Sequence, residues 1–177
     1  EFTGAMHLID WGGKVYGQFP AGGPAMLAIG TLLRAEWLVV PCFAAIGVVA
    51  FARLLRRIEG RDGTALAALL LYAFAPMTAF LGGSMMNHVT ALSWILLGAW
   101  ALAEATATAR ARALPALAMG LAFGIAATIR PLDGAVFALP AGAWLLWRAR
   151  RGAPHVVALL ASGVGIVLPL LALAWVN

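Results

Sequence analysis

The apolar positions of this chain fall in long unbroken runs, not in the alternation of a half-buried strand or the 3.6-residue stripe of a soluble helix. A helix needs about 20 apolar residues to cross about 30 Å of hydrocarbon. Five runs approach that length: residues 37–55, 64–81, 89–103, 114–129 and 156–176. A sixth, 134–147, is shorter. It lies between Arg130/Asp133 and the cluster Arg148-Ala149-Arg150-Arg151, and so reads as a crossing with polar ends. The run 25–33 is too short to span. With Pro24 in its first turn it is predicted to be an interfacial or re-entrant helix. The pattern predicts an all-α, polytopic transmembrane bundle of about six spans over residues 37–177. An exoplasmic loop and short interfacial helix, residues 1–36, precede it.

Composition supports this class. The chain is 63% hydrophobic and 11% charged, against about 45–50% and about 25% for soluble domains. That excludes an ordinary cytosolic enzyme, a disordered chain and a disulfide-stapled secreted domain. Cys42 is the single cysteine, so no internal disulfide or cysteine metal site forms. No secretory signal peptide is recognisable, and Glu1 is not expected to be the native start.

The net charge of +5 changes the picture only through its distribution. Arg53, Arg56, Arg57 and Arg61 lie between the first two runs, Arg110 and Arg112 between the third and fourth, and Arg148, Arg150 and Arg151 between the fifth and sixth. If six spans alternate, these nine of twelve basic residues share one side, leaving Lys14, Arg34 and Arg130 opposite. The positive-inside rule makes the arginine-rich side cytoplasmic and places the chain in the cell (inner or plasma) membrane. Nucleic acid is not expected as a partner. Gly120 and Gly124 form a GxxxG whose expected role is close helix packing.

A charge at the bilayer centre costs at least about 2.5–3.5 kcal/mol, so polar groups outside the basic loops carry the chemical information. They gather at three exoplasmic turns. In Thr128-Ile129-Arg130-Pro131-Leu132-Asp133-Gly134, Arg130 suits a phosphate or carboxylate, with Asp133 orienting the guanidinium. A snorkelling arginine paired with its neighbour explains the same residues. In Gly82-Gly83-Ser84-Met85-Met86-Asn87-His88, Asn87 is expected to cap the next helix and His88 to line a site. No second ligand stands at metal-binding spacing from it, so no metal is expected. In the stretch from Trp11 to Pro24, Lys14, Tyr16 and Gln18 are expected to share one face of a strand. His155 reads as interfacial, and Glu104 is expected to face Arg110 or headgroups. No Walker A loop, G-x-S-x-G, H-E-x-x-H or Asp-x-Asp is present.

In this order the turns Phe19-Pro20-Ala21-Gly22-Gly23-Pro24, Ser84-Met85-Met86-Asn87-His88 and Arg130-Pro131-Leu132-Asp133 resemble GT-C type membrane glycosyltransferases. The likeness is to the protein mannosyltransferase-like branch, which includes the aminoarabinose transferase-like proteins. It covers about residues 7–177, with Ala21 replacing a proline and Phe19 a tyrosine.

The resemblance implies part of a GT-C fold and transfer of a sugar from a polyprenyl-phosphate donor to a glycan, lipid or protein acceptor at the exoplasmic face. It implies a donor-phosphate site of Arg130, Asp133 and His88, and a pocket lined by Lys14, Tyr16, Gln18 and Asn87. Membrane lipid is a partner, and no nucleotide cofactor is needed, because the lipid phosphate activates the sugar. The family's catalytic carboxylate sits in a first exoplasmic loop that would precede Glu1. The chain is therefore expected to be an internal fragment, with no catalytic base assigned to Asp10 or Glu36. A transporter or flippase-like protein, or a non-catalytic membrane subunit, are the alternatives.

Overall fold

The computed structural model describes residues 8–11, 14–17, 20–58, 60, 62–84, 86–108 and 112–176. Strands β1 (Leu8–Trp11) and β2 (Lys14–Gly17) form an antiparallel hairpin whose register pairs Trp11 with Lys14 and Ile9 with Tyr16 along the backbone. Eight helices follow: α1 (Gly22–Leu32), α2 (Glu36–Ile58), α3 (Asp62–Ala73), α4 (Pro76–Gly82), α5 (Asn87–Thr106), α6 (Ala113–Ile129), α7 (Pro131–Ala149) and α8 (Ala153–Val176). Apart from the hairpin and short connections the described residues are helical, as expected of a membrane bundle.

Helix boundaries follow local chemistry. Glu36 opens α2 and Arg56 and Arg57 close it; Asp133 stands in the first turn of α7 and Arg148 in its last. Each charge complements the helix dipole at its end. The helix α1 ends in a Schellman motif, with Arg34 N–H donating to the Thr31 carbonyl and Ala35 N–H to the Gly30 carbonyl. Arg34 takes the left-handed conformation (φ 53°) that such a motif normally gives to glycine.

Among the described residues three helices are long and apolar enough to cross a membrane: α2, α5 and α8 through Trp175. The expected span 64–81 is broken instead. Helices α3 and α4 meet at a bend of 53°, and together they supply a fourth candidate. The cause is Pro76, the first residue of α4, which lacks an N–H and pushes Ala75 to an extended ψ of 128°. The apolar α6 has 17 residues and α7 has 19, with Pro140 inside it. Three to four spanning helices are consistent with a membrane protein. So are exposed apolar side chains such as Phe74, Leu132, Leu139 and Leu171.

The centre of the bundle is α6, which packs on α5, α7 and α8. Met119, Phe123 and Ala126 form its core with Ile95, Ala141 and Leu145. The GxxxG of α6 is a packing device, as expected. A Cβ on Gly120 would strike the Ser162 carbonyl of α8, and one on Gly124 would lie 2.8 Å from the Ile166 carbonyl. Reciprocally, Gly165 of α8 comes against the backbone of Leu117 and Leu121.

Contacts between helix termini give an up-and-down arrangement. The C-terminus of α2 meets that of α5 through Arg57 and Glu104, and the C-terminus of α7 reaches α5 through Arg148. The opposite ends carry Asn87, Thr128, Arg130 and Asp133. The described arginines from Arg53 to Arg57, with Arg112 and Arg148, therefore share one end of the bundle, while Arg130 lies at the other.

Candidate functional site

The three polar turns meet where α1 begins, α5 begins and α6 gives way to α7. Glycines make the meeting close. A Cβ on Gly22 would fall on Thr128 at the end of α6, and one on Gly23 would fall on the Asn87 carboxamide at the start of α5. The run Gly22-Gly23-Pro24 thus lets the first turn of α1 wedge against the other two turns. Its backbone approaches where any larger residue would hold it off.

The turn between α6 and α7 is closed by backbone bonds on both sides of Arg130. Its N–H donates to the Ala126 carbonyl (2.8 Å), and its carbonyl accepts from Gly134 N–H (3.0 Å). Arg130 is extended (φ −139°, ψ 94°), as the residue before a proline prefers, and Pro131 starts α7. A Cβ on Gly134 would lie 2.5 Å from the Ala127 backbone, so glycine is needed for α7 to fold back so tightly. In that turn Arg130 Nη1 pairs with Asp133 Oδ2 at 2.8 Å. Both side chains remain partly open, at 40% and 37% exposure, so the guanidinium has directions left for another anion.

Beside this turn lies an apolar cleft of about 230 Å³ between α1, α6 and α8, lined among others by Gly22, Met26, Ile125, Thr128, Pro169 and Leu173. The cleft reaches the polar turn at Thr128, two residues before Arg130.

The expected site residues are not all joined. Asn87 is half-buried against α1, but it does not cap α5: the cap position belongs to Met86, and no side chain bonds there. Asn87 instead serves as packing surface for Gly23. Ser84 organises its turn, its Oγ donating to the Leu81 carbonyl (2.9 Å) and accepting from Met86 N–H. His88 is exposed and makes no hydrogen bond or ion pair among the described residues. Lys14 and Tyr16 lie on β2, two residues apart, whereas Gln18 lies outside the described residues, as does Arg110. Among the described residues no three His, Cys, Asp or Glu side chains gather as a metal site would require.

Two more residues read from the sequence lie at the arginine-rich end. Glu104 pairs with Arg57, which donates through Nε (2.7 Å) and Nη2 (2.8 Å), and it also accepts from Trp100 Nε1 (3.2 Å). His155, expected at the interface, lies in the first turn of α8 and turns inward: it is 5% exposed, with both ring nitrogens buried and no hydrogen-bond partner among the described residues. It belongs to a buried stripe of α8 that continues through Ala158, Ser162 and Gly165. This 3-4-3 spacing of non-bulky residues was visible in the sequence, but hydrophobicity alone does not single it out, because the opposite face of α8 is apolar too.

Comparison with protein-family models, curated proteins and solved structures gives no match.

Proposed function

We propose that this chain forms part of a GT-C type membrane glycosyltransferase of about six spans, with α3–α4 as one bent crossing and α6 and α7 as short ones. In this reading it transfers a sugar from a polyprenyl-phosphate donor to a glycan, lipid or protein acceptor at the exoplasmic face. The observation that carries the reading is the convergence of three turns, far apart in sequence, through Gly22 on Thr128 and Gly23 on Asn87 beside the Arg130–Asp133 pair. The resemblance to the transferase family rests on those same turns.

In this mechanism Arg130 holds the donor phosphate, and Asp133 fixes the guanidinium plane so that its remaining N–H groups point outward. As the glycosidic bond breaks, negative charge builds on the phosphate, and a prepositioned cation stabilises that charge more than the ground state. The polyprenyl tail lies along the apolar cleft. His88, Asn87, Lys14, Tyr16 and Gln18 border the sugar and acceptor. The base that removes the acceptor proton is assigned to no residue described above.

The test is sugar transfer in membranes carrying the native protein, supplied with a panel of polyprenyl-phosphate sugars. Arg130→Ala is expected to lower transfer by about 100-fold or more. Arg130→Lys should keep the charge but lose the two-point grip, giving an intermediate rate. Unchanged transfer in Arg130→Ala, with the protein folded, would remove the phosphate assignment. Absence of transfer with every donor would favour a flippase-like or packing role.

A further inference from the structure

The arginine-rich end of the bundle contains a groove that the transferase reading does not use. Arg53, Arg56 and Arg57 of α2 face Trp100 and Glu104 of α5 across a space of about 250 Å³. Glu104 is already committed. Arg57 holds both its carboxylate oxygens, and Arg112 Nη1 lies 3.8 Å from Oε2. Arg53 is over the Trp100 ring at 6.0 Å from its centroid, an arrangement that positions a guanidinium without neutralising it. Arg56 is exposed and has no ion-pair partner among the described residues, although Asp62 borders a neighbouring groove on its other side. Among the described residues neither Arg53 nor Arg56 has an ion-pair partner, and both line the groove beside an already satisfied pair.

The depth of the groove says which anion it fits. Its walls are two helices that are long and apolar enough to span. Arg53 precedes the end of α2 by five residues, about 7.5 Å along the axis, and Trp100 precedes the end of α5 by six, about 9 Å. With the helix ends at the outer edge of a headgroup layer roughly 5–7 Å thick, Arg53 and Trp100 fall at its inner boundary with the hydrocarbon, where tryptophan is enriched. We propose that this groove binds the phosphate of an anionic phospholipid, with Arg53 and Arg56 as the two donors and Trp100 holding Arg53 at headgroup depth. The site lies at the opposite end from Arg130 and does not depend on the transferase reading.

The experiment is native mass spectrometry of the intact protein in detergent, titrated with phosphatidylglycerol and, separately, with phosphatidylcholine. Phosphatidylglycerol is expected to be retained preferentially. The double variant Arg53→Gln/Arg56→Gln should weaken its retention about tenfold or more. Arg150→Gln/Arg151→Gln, which removes the same charge from the same end but outside the groove, should leave retention within about twofold. Equal loss in both variants would mean diffuse attraction and overturn the site, as would undiminished binding in the first. Displacement of the lipid by an equal concentration of inorganic phosphate would make it a free-anion site and overturn the lipid assignment. If the double variant does not fold, Glu104→Gln decides: losing the competing carboxylate should tighten phosphatidylglycerol binding severalfold, and no tightening would count against the groove.

Discussion

Arg148 is only 8% exposed, within a helix whose other inward residues are apolar or small. It is tolerated because α5 ends against it: Nη1 donates to the Thr106 carbonyl (3.0 Å) and Nη2 to that of Thr108 (3.2 Å). The last carbonyls of a helix have no partners within it and carry the negative end of its dipole, so a buried guanidinium both caps them and is stabilised by them. Arg148→Leu is expected to cost about 2–4 kcal/mol, because it leaves buried carbonyls unpaired. Thermal unfolding in detergent checks this, and Arg148→Lys should fall between the two, one ammonium replacing a fork. Arg130 shows the contrast. Among the described residues it makes one ion pair, with Asp133, and its side chain is 40% exposed. Near neighbours in composition, the two arginines do different work: one closes a helix, the other stands available to an anion.

At the scale of elements, α6 and α8 approach through glycine. The backbone of one lies against the backbone of the other at Gly120, Gly124 and Gly165. Apolar burial gains little between helices in lipid, so close van der Waals contact is what holds such a pair. Gly120→Val would have to push Ser162 and its helix away, whereas Gly163 opens on free space and should accept alanine. A loss of about 2 kcal/mol or more for Gly120→Val, and a change within about 0.5 kcal/mol for Gly163→Ala, are expected in the same unfolding assay. The GxxxG announced this contact, but its partner could not be read along the chain, because alanine and glycine occur on every helix. The break between α3 and α4 was legible in principle from Pro76. Hydropathy alone joins the two helices into one run, since it measures apolarity and not backbone direction.

Among the described residues Arg53, Arg56, Arg57, Arg112 and Arg148 gather at one end of the bundle, and in the proposed orientation the positive-inside rule makes that end cytoplasmic. With Cys42 replaced by serine, Leu132→Cys should react with a membrane-impermeant maleimide added to intact cells, and Arg151→Cys should react only after the cells are opened. The reverse pattern would invert the orientation of the chain and move the Arg130 turn away from exoplasmic donors. The helical membrane class and the gathering of charge are carried by runs of apolar residues and by where arginines interrupt them. These depend on local composition, and so a linear pattern is enough. The meeting of Gly22 with Thr128 and of Gly23 with Asn87, the burial of His155 and the choice of Arg57 as partner for Glu104 could not be read that way. In a chain that is apolar on nearly every face, hydrophobicity does not say which face turns inward. That is decided by which small residues let two backbones touch, and therefore by the packed bundle.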